Sequence, residues 1–297
     1  MRSPAPGIRA GERLMPCDLR EEEEMSFIEI DESRCQKDGL CAQVCPFRLL
    51  AVEVGRSFPQ AVPGAGQRCI RCGHCQAVCP HGALTLVGQE AGPVFRPEKL
   101  PDVEQLTQLV RGRRSIRVYR KKPVERRLVQ RCIDLAHYAP TARNSQQIGW
   151  LVIDDKEELH RLTNHAFDWM RHLLATDDPR AEHYGVAGLI RGWEKGRDGI
   201  LRQAPGLVVT FAPAGYGLGT MDSTIHLTTF ELIAFSQGLG TCWAGFFQLA
   251  AADWSPLRQA LALPDGQELT AAMMVGYPRL RYQRLPERRA ARVVWRG

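Results

Sequence analysis

The sequence predicts an α+β protein built from two domains of unequal size. Its 297 residues exceed the length of one average domain. Cysteines recur in a fixed pattern between residues 35 and 79, whereas helix-like and strand-like segments follow one another after residue 102. No apolar run is long enough to span a bilayer. We expect a small cysteine-rich domain over 25–90, a linker over 91–102 and an α+β domain over 103–297.

The strongest motif lies in residues 69–80, which read CIRCGHCQAVCP. This is the C-x2-C-x2-C-x3-C-P spacing of a [4Fe–4S] site, in which three cysteines of one loop bind the same cluster and the fourth binds a neighbouring one. A zinc ribbon is the alternative, because cysteines separated by two residues also suit zinc. Four cysteines this close together, ending in Cys-Pro, fit zinc poorly, so the spacing favours iron and sulfur.

A second copy of the motif precedes the first. Cys35, Cys41 and Cys45 each lie 34 residues before a cysteine of the 69–80 segment, and a proline follows the last cysteine in both copies. An internal repeat of this kind is one structural unit used twice. Residues 25–90 therefore resemble a two-cluster bacterial ferredoxin.

In the ferredoxin family the ligands cross between the two copies. The resemblance implies that one cluster is held by Cys35, Cys41 and Cys79. It implies that the other cluster, a [4Fe–4S], is held by Cys45, Cys69, Cys72 and Cys75.

One position departs from the repeat, because the equivalent of Cys72 is Asp38. A carboxylate can bind iron, although it is a harder ligand than a thiolate and a more labile one. The first cluster is then either a [4Fe–4S] with Asp38 as a ligand, which we favour, or a [3Fe–4S] with an empty corner. In the second case Asp38 only caps a turn.

The charge distribution and the use of cysteines indicate which partners and which cellular compartment to expect. Of the net charge of +6, residues 91–297 contribute +8, which suits an acidic electron carrier or a phosphate-bearing nucleotide. No nucleic-acid-binding motif accompanies this charge, and neither nucleic acid nor membrane is an expected partner. Seven of the ten cysteines lie in the cluster motifs, and the spacing of the others suggests no disulfide. No apolar segment follows the N-terminus, so we expect no secretory signal. We expect a cytoplasmic protein.

Residues 1–24 differ from the rest of the chain. They have no apolar periodicity and end in four consecutive glutamates. We expect a disordered extension. Our hypothesis is that translation of the natural protein starts at Met25, so that this extension is not part of it.

The larger domain reads as four helices, four strands and a long excursion. We predict helices over 103–112, 128–138, 156–174 and 221–237, and strands over 150–153, 207–212, 269–275 and 293–295. Residues 239–242 read as a turn, and 176–199 as a lid or helical excursion. The 221–237 helix is apolar on most of its circumference, which predicts burial at the domain centre or at a subunit interface.

Several polar segments of this domain suit a phosphate-bearing cofactor. Residues 113–117, Arg-Arg-Ser-Ile-Arg, combine cations with a hydroxyl, although a solvated basic turn would read the same. The polar loop 139–146, the glycine-rich segment 238–245, Gly276-Tyr277-Pro278 and the segment 286–289 follow in order. Their order and spacing resemble the FMN-dependent nitroreductase family over residues 103–297.

That resemblance implies a homodimer with a mixed sheet and with FMN bound across the subunit interface. The FMN-binding residues it implies are Arg113, Arg114, Ser115, Arg117 (facing the pyrimidine edge), Pro140, Thr141, Ala142, Asn144, Gln146 (these five from the partner chain), Ala244, Gly245 (near the reactive edge), and Arg288 or Arg289 (at the phosphate). Residues 147–149 depart from the family, which more often has Pro before the equivalent of Trp150.

Two redox centres in one chain predict an internal electron path. Iron–sulfur clusters pass single electrons, and FMN converts these into the pairs that an organic acceptor needs. The expected acceptor is a small nitro, quinone or enone compound, and candidate donors are ferredoxin, flavodoxin and NAD(P)H. This chemistry requires no protein nucleophile, and we predict no catalytic side chain. The alternatives are an electron-transfer protein that serves a protein partner and a redox sensor that uses the Asp38 cluster.

Overall fold

The computed structural model describes residues 27–297, so the prediction for residues 1–24 lies outside the described part of the chain. The chain divides into two compact units, one ending at Phe95 and the other running from Arg96 to Gly297. No helix of the described residues is long and apolar enough to cross a membrane.

The smaller unit is formed by two short antiparallel strand pairs and three short helices. Strand β1 (Ile28–Ile30) pairs with β4 (Leu84–Leu86), and β2 (Leu50–Ala51) pairs with β3 (Gln60–Ala61). The helices are α1 (Leu40–Val44), α2 (Ala65–Arg68) and α3 (His74–Val78). Apolar residues of both strand pairs, including Ile28, Leu50 and Leu86, form its core.

The backbone of this unit repeats at the interval that the sequence predicts. Helices α1 and α3 each follow a glycine in the left-handed region, Gly39 at φ 76° and Gly73 at φ 74°. Two residues earlier, Lys37 and Arg71 also have positive φ angles, 56° and 51°. L-residues adopt this region rarely, so its recurrence shows that both cysteine loops wind along the same path.

The larger unit is a four-stranded sheet covered by helices on both faces. Its helices are α4 (Val103–Gly112), α5 (Arg126–Ala136), α6 (Lys156–Ala175), α7 (Pro179–His183), α8 (Val186–Glu194), α9 (Gly219–Ser236), α10 (Gly245–Asp253) and α11 (Ser255–Ala260). Its strands are β5 (Gly149–Ile153), β6 (Gly206–Pro213), β7 (Gly240–Trp243) and β8 (Gln267–Gly276), in the spatial order β5-β6-β8-β7.

Strand alternation divides the core between the two faces of this sheet. Leu207 and Val209 of β6 face a cluster that includes residues of α6 and α10. Val208 faces the opposite cluster, to which α5 and α9 contribute. Apolar residues therefore follow one another along β6 because both of its faces are buried. The 221–237 helix, for which burial on most of its circumference is predicted, packs on this sheet with one face only, because Met221 on the other face is 61% exposed.

Three expectations about this unit are wrong. The strands pair antiparallel throughout, and parallel pairing among the described residues is limited to one bridge between Ser115 and Thr241. The predicted turn at 239–242 falls on strand β7. Gly240 allows close packing of this strand against Ile116, because a Cβ at residue 240 would lie only 2.5 Å from Ile116 Cγ1. Residues 293–295 form no strand, and Trp295 is 90% exposed, because no described strand pairs with this apolar segment.

Candidate functional site

The cysteines of the smaller unit line two separate cavities. Cys35, Asp38, Cys41 and Cys79 line one of them. Cys45, Cys69, Cys72 and Cys75 line the other. Each cavity therefore takes three positions from one copy of the repeat and a fourth from the other copy, which is the crossed grouping that the ferredoxin resemblance implies.

Backbone amides donate hydrogen bonds to sulfur in both copies. The Leu49 N–H lies 3.4 Å from Cys45 Sγ, and the equivalent Ala83 N–H lies 3.3 Å from Cys79 Sγ. A donor directed at sulfur favours the thiolate, which is the form that binds iron, and such bonds tune cluster potentials. The donor set therefore fits an iron–sulfur cluster in each cavity.

The exposed Asp38 occupies the corner that Cys72 occupies in the other copy. Its Oδ1 accepts a hydrogen bond from the Leu40 N–H at 3.1 Å, which fixes the carboxylate at the start of α1. A carboxylate has two oxygens, so this bond leaves one free to bind a metal. Both roles considered for Asp38, iron ligand and turn cap, are compatible with this geometry.

Burial opposes ionisation of two of the thiols. It raises the pKa of Cys41, and it raises the pKa of Cys75 to about 11. Without iron these side chains are therefore held as thiols at neutral pH. Cluster assembly has to displace their protons, because only the thiolate binds iron.

In the larger unit, the Arg-Arg-Ser-Ile-Arg segment adds an edge to the sheet beside β7. Arg113 ends α4, where its N–H donates to the Leu109 carbonyl at 3.2 Å. The Ile116 N–H then donates to the Thr241 carbonyl at 2.8 Å. The buried Tyr119 hydroxyl donates back to the Ile116 carbonyl at 2.7 Å. These bonds hold the segment in place, so its side chains start from a fixed backbone.

Three of the predicted cofactor-binding arginines line a single cavity. Arg113, Arg114 and Arg288 surround about 530 Å³ together with a fourth arginine, Arg111, and with Thr228 and Glu231 of α9. The lining thus holds four arginines and one carboxylate, of which Arg113 is paired with Glu231, and guanidinium is the side chain best suited to a phosphate group. The cavity volume also lies in the range of small-molecule sites. These residues fit the phosphate end of FMN, whereas Arg289 does not line this cavity.

Arg117 is exposed on the same segment and lies outside the arginine cavity. Burial raises the pKa of the Cys242 thiol on β7, and the positive charges of Arg117 and Arg202 oppose this rise. The charge of Arg117 therefore acts at β7. Its predicted position at the pyrimidine edge of FMN stays a prediction.

The polar loop 140–146 is tied to α9 through a short hydrogen-bond chain. Ser145 Oγ lies 2.9 Å from the Tyr216 hydroxyl, which donates to Asp222 Oδ2 at 2.7 Å. The Ala142 N–H points at the same buried carboxylate, 3.4 Å from each oxygen. Within the single chain, no residue of this loop lines the arginine cavity. Its predicted contribution to FMN from a partner chain stays a prediction.

This loop also concentrates unfavourable backbone conformations. Arg143, Asn144 and Gln146 have φ angles of 52°, 54° and 50°. The Gln146 N–H donates to Thr141 Oγ1 at 3.0 Å, which helps to hold the shape. Such conformations persist only where the surroundings enforce them, and they occur often at binding sites.

The last predicted pair lies where β7 passes into α10. Ala244 is buried and donates its N–H to the Ala272 carbonyl of β8 at 3.0 Å. Gly245 is exposed and begins α10. The chain therefore presents an open backbone position at the end of a buried strand, as a close approach to a flat ring would need.

Two residues important to this site, Asp222 and Glu231, were not predicted from the sequence. Both lie in α9, in which they are the two carboxylates, and both are buried. A signal for them was available, because a carboxylate in a buried helix must be paired or hydrogen-bonded. Each one fixes a segment of the predicted cofactor site.

Together these features define an α+β fold with an arginine-lined cavity, preceded by a unit with two cysteine-lined cavities. The nitroreductase family matches residues 110–277, and a 4Fe-4S dicluster domain matches residues 27–80. The chain belongs to the nitroreductase family and is a nitroreductase-like, FMN-dependent oxidoreductase with an N-terminal 4Fe-4S dicluster domain.

Curated relatives and solved structures match the larger part of the chain. A 4-nitrobenzoate reductase of Nocardioides sp. is 29% identical over 208 residues, covering 60% of this chain and 82% of the relative. A 4-nitrobenzoate reductase of Pseudomonas putida is 30% identical over 194 residues, covering 57% and 83%. A nitroreductase structure with bound FMN from Bacteroides fragilis has a TM-score of 0.52 at 18% identity, covering 64% of this chain and 98% of that one. At this identity the structural likeness concerns the fold.

Proposed function

We propose that this protein reduces a small organic acceptor of the nitro, quinone or enone type with electrons that enter at its iron–sulfur clusters. When bound, FMN supplies the exchange between one-electron and two-electron transfer. The observation that carries the proposal is the presence, in one chain, of two crossed cysteine-lined cavities and an arginine-lined cavity.

The residues of the larger unit bind and orient the cofactor in this proposal. Arg113, Arg114 and Arg288 hold the phosphate, with Ser115 beside them. Arg117 places a positive charge at the ring edge, where negative charge develops on reduction. Ala244 and Gly245 leave the reactive edge open to the acceptor. The loop residues Pro140, Thr141, Ala142, Asn144 and Gln146 come from a second copy of the chain, so the active form is a homodimer.

Within the smaller unit, Cys45, Cys69, Cys72 and Cys75 hold a [4Fe–4S] cluster. Cys35, Cys41 and Cys79 hold the second cluster, with Asp38 as its fourth ligand. Hydrogen bonds from Leu49 and Ala83 to two of the sulfurs support these assignments. Cysteines that bind iron must be reduced, and this requirement supports a reducing compartment, the cytoplasm.

The names of the relatives indicate which acceptor compound to test first. Two of them are named for the reduction of 4-nitrobenzoate. A nitroaromatic carboxylate is therefore the first compound to assay, followed by quinones and enones. For the donor, a ferredoxin or flavodoxin suits single-electron entry at the clusters, whereas NAD(P)H delivers hydride directly to a flavin.

The experiment is anaerobic reduction of the purified full-length protein by each candidate donor, followed at the flavin and cluster absorbances. The proposal predicts that reduced ferredoxin or flavodoxin bleaches both centres, and that 4-nitrobenzoate then reoxidises both. If no nitro, quinone or enone compound reoxidises the reduced protein and a protein partner reoxidises it quickly, the protein is instead an electron-transfer protein.

A further inference from the structure

One buried histidine has no role in the proposed function. His226 of α9 is fully buried, and the centre of its ring lies 6.2 Å from that of His137 and 6.1 Å from that of Trp150. His137 ends α5, and Trp150 is the second residue of β5. The loop 140–146 lies between these two residues in the chain. Both ends of the segment that carries the loop therefore pack on His226.

The middle of the loop is tied to the same part of α9. Asp222 lies one turn before His226, and its carboxylate accepts the Tyr216 hydroxyl and faces the Ala142 N–H. The backbone carbonyl of Asp222 lies 2.8 Å from His226 Nδ1. A carbonyl oxygen can only accept a hydrogen bond, so Nδ1 carries the proton of the neutral ring. Nε2 is then left with an acceptor lone pair.

Two buried nitrogen atoms of this cluster have no hydrogen-bond partner among the described residues. They are His226 Nε2 and Trp150 Nε1. The indole N–H only donates and the neutral Nε2 accepts, so the two atoms are complementary, directly or through one water molecule. A proton on Nε2 would turn it into a second donor. Two buried donors would then face each other without an acceptor, which is unfavourable.

We propose that His226 is a positioning residue for FMN, whose neutral ring holds the loop 140–146 in its binding conformation and whose protonation releases the loop. The proton comes from solvent and adds at Nε2. The charged ring can be hydrated only when the ends of the loop segment part from α9, because His137 and Trp150 pack on it. This role rests on the proposed function, in which the loop contacts FMN.

Two titratable groups lie beside the ring in the described part of the chain, His137 from α5 and Asp222 from α9, whereas β5 contributes the uncharged indole. Burial lowers the pKa of His226, the hydrogen bond with the Asp222 carbonyl opposes this shift, and His137 adds to it. The closed loop therefore favours the neutral ring. When the loop opens, the exposed ring regains its ordinary pKa of about 6.5. Below this pH, closing the loop on FMN has to displace a proton.

FMN affinity of the full-length protein, measured between about pH 7.5 and 5.5, tests this role in the natural protein and in His226→Asn. Asparagine keeps an N–H donor for the Asp222 carbonyl and does not titrate. At about pH 5.5 an exposed ring with a pKa of about 6.5 is protonated about ten to one. The natural protein should therefore lose about tenfold more FMN affinity over this range than H226N. The FMN phosphate titrates in the same range, but its contribution is common to both proteins and cancels.

Two matched variants identify the titrating group. His183→Asn, at an exposed position of α7, should keep the pH dependence of the natural protein. His137→Asn should also keep most of it, because the His137 side chain is exposed and can take up a proton while the loop stays closed. If H137N flattens the profile as fully as H226N does, His137 is the titrating group and the role assigned to His226 is wrong.

Hydrogen exchange of the FMN-free protein separates this role from the proposed function. For the amides of residues 142–146, the ratio of the exchange rates in the natural protein and in H226N should rise about tenfold from about pH 7.5 to 5.5. Equal pH profiles of the two proteins in both measurements would overturn the role of His226. So would an Nε2–H tautomer in a long-range ¹H–¹⁵N spectrum of the natural protein, which needs no variant. A difference in exchange without one in FMN affinity would confirm that His226 holds the loop and would contradict only the contact of the loop with FMN.

Discussion

Arg113 Nη1 lies 3.0 Å from Glu231 Oε1, and the hydroxyl of Thr241 donates to the same oxygen at 3.2 Å. One buried carboxylate thereby joins the end of α4, the middle of α9 and strand β7. Glu231 is 5% exposed, so its charge is compensated by these two partners rather than by water. The pair fixes the backbone from which Arg114, Ser115 and Arg117 extend.

The Arg113–Glu231 pair should contribute measurably to stability. We expect a double-mutant cycle with Arg113→Ala and Glu231→Ala, in the FMN-free protein, to give a coupling of about 1.5–3 kcal/mol in urea unfolding. The exposed pair Arg126–Asp154 is the control, since its arginine side chain is 86% exposed. Its coupling should vanish at high salt, whereas that of Arg113–Glu231 should largely persist. Equal salt sensitivity of both couplings would contradict the assigned burial.

His226 should make stability depend on pH. Burial lowers the pKa of this ring, the backbone hydrogen bond with the Asp222 carbonyl opposes the shift, and the neighbouring His137 adds to it. Below the unfolded-state pKa of about 6.5, the unfolded chain therefore binds more protons than the folded chain. The free energy of unfolding should fall as the pH drops through about 6.5 towards the lowered folded-state pKa.

A comparison of two histidine variants isolates the contribution of His226 to the pH dependence of stability. His226→Gln should flatten the pH dependence between about pH 7.5 and 5.5, by an amount on the order of 1 kcal/mol, in denaturant titrations at each pH. His183→Gln, at an exposed position, should leave the slope as it is in the natural protein. If H226Q keeps the full slope, His226 is not the group that titrates.

The hydrogen bonds from Ser145 to Tyr216 and from Tyr216 to Asp222 should rigidify the loop 140–146. Tyr216→Phe removes the hydroxyl that bridges the loop to α9. We expect faster hydrogen exchange at the amides of residues 142–146 and FMN binding weakened by about three- to tenfold, because ordering the loop would then cost binding energy. Thr224→Ala, which removes an exposed hydroxyl elsewhere on α9, should change neither quantity. An unchanged exchange rate in Y216F would show that the loop is held by other contacts.

Asp38 should set the composition of the first cluster. Asp38→Cys completes a four-cysteine set in the cavity of Cys35, Cys41 and Cys79. Mössbauer spectroscopy of anaerobically prepared protein should then show two [4Fe–4S] clusters that survive air longer than those of the natural protein, because thiolate is the softer ligand. Asp38→Ala should leave a [3Fe–4S] cluster. A [4Fe–4S] spectrum in D38A identical to that of the natural protein would rule out Asp38 as a ligand.

Motifs with short spacing were predictable from the sequence. The cysteine repeat is local, so the resemblance to a two-cluster ferredoxin could be recognised from it, and the structure lines the two cavities with the sets that this resemblance implies. The Arg113–Arg117 segment was likewise recognisable, and three predicted arginines share one cavity although Arg288 lies far along the chain.

Contacts between residues far apart in the chain could not be predicted from the sequence. Residues 239–242 read as a turn because Gly238 and Gly240 lie on either side of Leu239, yet Gly240 is needed for close contact with Ile116 and Pro278. The roles of Asp222 and Glu231 depend on partners 80 and 118 residues away, Ala142 and Arg113. Such pairings exist only once the sheet and α9 are assembled.

The most direct test compares electron entry in the natural protein and in the full-length variant Cys41→Ala/Cys75→Ala, which lacks one thiol in each cysteine-lined cavity. Both are mixed anaerobically with reduced ferredoxin and with NAD(P)H, and the flavin absorbance is followed in a stopped-flow instrument. Electron entry through the clusters predicts that ferredoxin bleaches the flavin quickly in the natural protein and only slowly in the variant. Flavin reduction by ferredoxin that is equally fast in the variant would show that the clusters are not the route.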